Sequence, residues 1–206
     1  MKPLPADQSA ELLILRKTPF QDDSMIVNGV SAEHGRMAFI VRLPSQRGKN
    51  KGGFLDIFQV AQMEYRHSDS DIFRGKATSI SADYTGVATS KNGYEPACRL
   101  ARFALANTHP QVPIPQFYQA LQVALIRLRG DASTPEAILT GVGLAFLNEA
   151  GWLSPVEMDP RKAAQCQILL QMAAGGDIPQ LEPKVWNALL EWTRSRLLDA
   201  ECVEIF

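Results

Sequence analysis

The chain has 206 residues, 46% of them hydrophobic and 21% charged, with a formal net charge of -1. This is the composition of a folded protein, not of a disordered or collagen-like one, and its length suits one large domain or two small ones. No run of about 18 uninterrupted apolar residues occurs, so the sequence offers no candidate membrane-spanning helix. Cys98, Cys166 and Cys202 are odd in number and far apart, which excludes a full disulfide framework and suits a reducing compartment. The opening Met1-Lys2-Pro3-Leu4-Pro5-Ala6-Asp7 lacks the apolar core of a secretory signal, so the expected location is cytoplasmic.

In chain order, the first elements read as strands. Leu12–Arg16 is a compact aliphatic run, and Ser24–Val30 follows the turn-prone Gln21-Asp22-Asp23. Met37–Leu43 comes next and is ended by Pro44, which cannot donate to a sheet ladder. Phe54–Val60 and Ile72–Thr78 complete the set. In the last, a period of two puts Arg74 and Lys76 on one face and Phe73 and Ala77 on the other. Five short strands separated by Gly, Asp, Ser and Pro clusters predict a small antiparallel barrel, with the five-stranded, partly open OB-fold as the candidate. From His34 to Leu55 there is no acidic residue, while Arg36, Arg42, Arg47, Lys49 and Lys51 fall in that window. Such a local basic stripe is a footprint for polyanions; the alternative is an ordinary solvated loop.

From about Tyr94 the character changes to Ala- and Leu-rich helical spacing. Phe117, Leu121, Leu125 and Leu128 form one apolar stripe on a helix entered through Pro113 and Pro115. Ser133-Thr134-Pro135-Glu136 reads as a helix start with a hydroxyl cap, and Gly151 as that helix's stop. A shorter helix is predicted from Pro160 to Ala174, ended by Gly175-Gly176. The last starts near Pro183 and carries Val185, Leu189, Trp192 and Arg196 along one side. Strands first and helices afterwards make an α+β chain: an N-terminal five-stranded OB-fold barrel at 1–83 followed by an all-helical domain at 84–206.

Catalytic constellations are poor. His34, His67 and His109 stand apart, no Cys-x-x-Cys exists, and neither metal nor cofactor is expected. No nucleophile elbow, phosphate loop or dinucleotide fingerprint is present, so no catalytic residue is assigned. Gly141-Val142-Gly143 lies in a helical pattern and reads as close helix packing. Asp22-Asp23 reads as a turn. Phe39, Phe54, Phe58, Tyr65 and Phe73 could stack on bases, but a small barrel needs such rings inside. Trp152, Trp186 and Trp192 read as core or inter-domain anchors.

The stretch Leu15-Arg16-Lys17-Thr18-Pro19-Phe20-Gln21-Asp22-Asp23-Ser24-Met25-Ile26-Val27, followed by Ser31-Ala32-Glu33-His34-Gly35-Arg36, resembles the opening of the RecO family of bacterial recombinational-repair proteins. Pro115–Leu121 and Phe146–Gly151 are similar, more loosely, to that family's Pro-entered helix and its helix ending in Gly. Two features depart from it. The four-cysteine zinc knuckle of many members is missing, with only Cys166 in that region, and Asp199–Phe206 is acidic where members often are basic. The resemblance implies a mediator, associated with the bacterial nucleoid, that binds single- and double-stranded DNA, anneals strands and helps load recombinase on coated single strands. It also implies as partners a single-strand-binding protein and a RecR-type protein. On that reading Arg16, Lys17, Arg36, Arg42, Arg47, Lys49, Lys51, Arg74 and Lys76 are expected to meet phosphates. The acidic tail of a single-strand-binding protein would dock on Leu121 and Leu125 with Arg127 and Arg129, and with Arg99 and Arg102 of the preceding helix. The alternative is a protein-interaction adaptor with weak DNA affinity that docks through its helical half.

Overall fold

The computed structural model describes residues 7–21, 23–42, 55–66, 70–130, 134–153 and 159–206. Within them the first five elements are strands: β1 (Asp7–Phe20), β2 (Ser24–Ser31), β3 (Gly35–Arg42), β4 (Gln59–Arg66) and β5 (Phe73–Asp83). They close into a barrel in the order β1-β2-β3-β5-β4. All neighbours are antiparallel except β3 and β5, which run parallel and pair through Phe39↔Phe73 and Ile40↔Arg74. This is the OB-type barrel that the strand count and breaker spacing predict.

Closure depends on the length of β1. Its first half pairs with β4 and its second half with β2, and the register slips between Ile14 and Arg16. Leu15 is the extra residue of a bulge, a device that bends a strand from one partner to the next. Leu12, Ile14, Val27, Phe39 and Met63 lie in the barrel core. By alternation, the residues between them point outward.

The fourth strand differs from the expectation. The apolar run Phe54–Val60 predicts a strand there, but residues 55–58 turn and β4 starts at Gln59; Phe54 itself lies outside the described residues. Local side chains satisfy the backbone in place of a ladder. The Asp56 carboxylate accepts from the Ile57 N–H at 2.8 Å, and the Gln59 side-chain carbonyl accepts from the Asp56 N–H at 2.8 Å. Phe58 takes a left-handed φ of 68°, and its N–H donates to the Ile14 carbonyl at 2.7 Å. The true strand is written in the quieter alternation Ala61, Met63, Tyr65 inward against Gln62, Glu64, Arg66.

The chain divides into two compact units: Met1–Thr85 with Thr108–Pro113, and Gly86–Asn107 with Ile114–Phe206. In the first, Gly35 bridges to Pro110, and Arg36 N–H donates to the His109 carbonyl at 3.2 Å. Gly35 has φ +63°, and a Cβ there would sit 2.2 Å from the His109 carbonyl oxygen, so no other residue fits without moving backbone.

The second unit holds α1 (Tyr94–Asn107), α2 (Pro115–Arg129), α3 (Pro135–Glu149), α4 (Pro160–Ala173) and α5 (Pro183–Asp199). α3 is its centre, buried on most of its circumference. A Cβ on Gly141 would lie 2.9 Å from Met172 Cε of α4, and one on Gly143 would lie 2.6 Å from Thr193 Cγ2 of α5. The two glycines therefore let two helices approach, which is the packing role their helical setting predicts. The rings of Phe103, Phe117, Phe146 and Phe206 join edge to face, with centroids 5.1 to 6.0 Å apart.

Helix ends are satisfied partly by unexpected groups. Thr134 makes no side-chain cap; Pro135 has no N–H to satisfy, and the Ala137 N–H bonds the Thr134 carbonyl at 3.1 Å instead of its hydroxyl. α2 begins after Ile114, which cannot cap. Glu149, from the end of α3, accepts from the N–H groups of Gln116 at 3.0 Å and Phe117 at 2.9 Å, placing negative charge at the α2 N-terminus. Gly151 (φ +79°) and Gly175 (φ +116°) stop α3 and α4 as their positions predict. The tryptophans divide: Trp186 is buried, whereas Trp152 and Trp192 are exposed. The inward stripe of α5 is Trp186, Leu190, Thr193 and Leu197, one position on from Val185, Leu189, Trp192 and Arg196. Small Thr193 is what the close approach to Gly143 admits.

Candidate nucleic-acid interface on the barrel

Strand register assembles the basic residues that spacing alone leaves scattered. Arg16, Asn28 and Ala38 form one outward row across β1, β2 and β3. Thr18, Ile26, Ile40 and Arg74 form the next, and Phe20, Ser24 and Arg42 the third. At about 4.8 Å between strands, the row from Thr18 to Arg74 spans roughly 14 Å. Arg36 and Lys76 point outward on β3 and β5 by the same alternation. Five expected cations, Arg16, Arg36, Arg42, Arg74 and Lys76, thus share the outer face of the β1-β2-β3-β5 sheet, and all five are exposed.

Acidic residues are few along these strands: Asp83 ends β5, and Asp23 lies in the turn between β1 and β2. Neither β2 nor β3 contains an acidic residue, nor does β1 from Arg16 to Phe20. Glu64 of β4 stands opposite Lys76. Among the described residues, Arg16, Arg42, Arg74 and Lys76 nevertheless make no ion pair. Cations that no nearby carboxylate neutralises add to the positive field outside a sheet face.

Lys17 is different. It faces the barrel end, where its ammonium donates to the Leu55 carbonyl at 3.0 Å and to Asp56 at 2.7 Å. That hydrogen bond holds the Asp56 carboxyl below the usual carboxylate range, against a smaller opposing effect of burial. Arg47, Lys49 and Lys51 lie outside the described residues, as do Asp22 and His67.

The aromatic residues also separate by face. Phe39, Tyr65 and Phe73 pack together with centroids 5.0 to 5.8 Å apart at the barrel core, and Phe58 is buried. Burial pushes the Tyr65 hydroxyl pKa up. Gly75 makes room for this cluster, since a Cβ there would lie 2.7 Å from Phe39. Phe20, which is not among the rings expected to stack on bases, is half-buried on the cation-bearing face. No local signal reveals it, because alternation from the core residues Leu12 and Ile14 would turn Phe20 inward.

The six residues expected to bind a partner do not form one surface pocket. Leu121 and Leu125 are enclosed in the helical core. Arg127 donates to the Met172 carbonyl at 2.8 Å and to the Gly176 carbonyl, closing the C-terminal end of α4. Desolvation lowers its pKa from the arginine value, and Asp177 pulls the other way. Arg99 is paired with Glu95. Arg102 and Arg129 are exposed, with the Arg129 stem packed over Gly86.

His34 lies 3.9 Å from Glu33, and Asp23 accepts from the Ser24 hydroxyl at 3.2 Å, as a turn residue does. Among the described residues no group of three or more His, Cys, Asp or Glu is placed to hold a metal ion. Burial raises the thiol pKa of Cys166 and Cys202, which disfavours the reactive thiolate. No helix among the described residues is long and apolar enough to cross a membrane. No family model matches the chain, and no curated protein matches it in sequence. The OB-type barrel and its cationic face are therefore what a functional reading has to work from.

Proposed function

We propose that the protein is a non-enzymatic DNA-binding mediator of the RecO type, acting in recombination and repair by holding DNA through the outer face of its barrel. The observation that carries this reading is the convergence of Arg16, Arg42, Arg74 and Lys76 on one sheet face without carboxylate partners among the described residues. Contacts from such a face go to phosphates, so affinity comes without sequence readout and falls with salt as counterions are released. Annealing and recombinase loading follow from the resemblance, as do the acidic tail of a single-strand-binding protein and a RecR-type protein as partners. With Leu121 and Leu125 enclosed, such a tail would have to use the exposed Arg102 and Arg129 with other apolar groups.

The test is anisotropy of a labelled oligonucleotide at several salt concentrations. Replacing Arg16, Arg42 and Arg74 together by Ala is expected to flatten the plot of log affinity against log salt by about two to three units. The same measurement on Arg47, Lys49 and Lys51 assigns their segment. Unchanged slopes in both triple variants would return these cations to ordinary solvated surface.

A second reading, an interaction adaptor with weak DNA affinity, draws on the exposed Trp152, Ile168, Trp192 and Leu198 of the helical unit. Salt-insensitive, very weak DNA binding would favour it.

A further inference from the structure

We propose that Phe20 is a base-stacking platform that makes the cationic face of the barrel prefer single-stranded to duplex DNA; this rests on the DNA-binding reading above. The bulge at Leu15 decides where the ring goes. Without that slip, Arg16, Thr18 and Phe20 would lie on the same face as Leu12 and Ile14, which point into the barrel core, and with it the register pairs Arg16 with Asn28 and Phe20 with Ser24 on the outer face. Met25, the partner of Pro19, packs against the barrel core, so Phe20 next to it turns outward. It is not part of the core cluster and takes no part in the ring contacts that join Phe39, Tyr65 and Phe73.

The surroundings of Phe20 fit a nucleotide. Ser24 separates it from Arg42 in the same row, two strands away or about 10 Å, and Arg16 lies four residues back on β1, about 13 Å along the strand. Thr18, Ile26 and Ile40 form the floor between these cations. Phosphates can meet the arginines while an unpaired base lies on the ring. A duplex can satisfy the arginines equally well, but its bases are stacked on one another and closed to the ring. Because Phe39, Tyr65 and Phe73 pack into the barrel core and Phe58 is buried, stacking selectivity on this face falls to Phe20. One platform without hydrogen-bonding groups discriminates strand form and not sequence, since every base has a π-face.

Anisotropy with labelled oligo-dT and with a duplex of equal length, both on the full chain, reads this directly. Phe20→Leu is expected to lower the ratio of single-strand to duplex affinity about tenfold, the scale of one lost base–aromatic stack, while Phe20→Tyr keeps the ratio within about twofold. Phe20→Trp supplies a check that does not depend on the Leu variant folding: oligo-dT should quench the added indole fluorescence, measured against the wild-type chain, and duplex should not. Equal losses on both substrates, or a new indole indifferent to oligo-dT, would overturn the stacking role. Salt-dependent binding with an unaltered ratio in Phe20→Leu removes the stacking role alone. A wild-type chain that binds neither substrate removes the DNA reading and this inference together.

Discussion

The barrel and the helical unit use their cations in opposite ways. On the barrel face Arg16, Arg42, Arg74 and Lys76 have no ion-pair partner among the described residues. In the helical unit Arg99 is paired with Glu95 and Arg196 with Asp199, while Arg194 meets Glu191 and the Phe206 main-chain oxygen. Arg127 goes further and closes a helix end with both arms of its guanidinium. A net charge of -1 conceals this division, because charges neutralised within a fold contribute little to the field outside it. The difference leaves the barrel face, among the described residues, with a cluster of cations that no carboxylate neutralises.

The largest effect that can test this division concerns the helical interior. Phe206 is 3% exposed with its ring 5.1 Å from Phe103, so Phe206→Ala is expected to cost about 3–5 kcal/mol, read as a lower midpoint in urea unfolding. A midpoint that stays put would mean that the ring cluster does not hold the helices together.

A middle-sized effect sets one arginine of each unit against the other. Arg127→Ala should destabilise by about 2 kcal/mol, because carbonyls at the end of α4 lose charge-assisted hydrogen bonds, and should leave DNA affinity nearly intact. Arg74→Ala should do the reverse, with a stability change within about 0.5 kcal/mol and a salt slope lower by about 0.7 to 0.9. If both variants behave alike in melting and in DNA titration, the contrast between the units fails.

The smallest effect is a pH dependence at the barrel end. Lys17 depresses the Asp56 pKa in the folded chain, so the unfolded state binds the proton more readily. The contribution is therefore present above the ordinary aspartate range near 4 and is lost as the pH falls through the folded value. With the Asp56 side chain 58% exposed, it should stay below about 1 kcal/mol. Asp56→Asn should remove that part of the acid dependence, seen by comparing urea midpoints at pH 3 and pH 6; identical acid dependence in both proteins would assign the loss to other carboxylates.

Local chemistry made much of the architecture readable. Pro115, Pro135, Pro160 and Pro183 open helices where a missing N–H is no loss, and Gly151 and Gly175 stop them where φ turns positive. The stripe Phe117, Leu121, Leu125, Leu128 was legible as one face, and the structure encloses it. Where alternation was clean, as in Arg74 and Lys76 against Phe73 and Ala77, the outward cations could be named. Phe54–Val60 misled because an apolar run says nothing of Asp56 and Gln59 tying down their own backbone, or of Phe58 turning left-handed.

The sequence by itself determined the order of strands and helices, most of the breaks between them, and which residues carry charge, since these depend on propensities and periods within a few neighbours. Tertiary structure decided what lies far apart in the chain and close in space. The slip at Leu15 aims Phe20 outward, β3 and β5 meet at Ile40 and Arg74, Glu149 caps a helix that begins 34 positions earlier at Pro115, and Arg127 turns inward to Met172. The physical reason is that register and helix-end partners are set by long-range closure, where one residue of slip exchanges the two faces of a strand and no local signal records it.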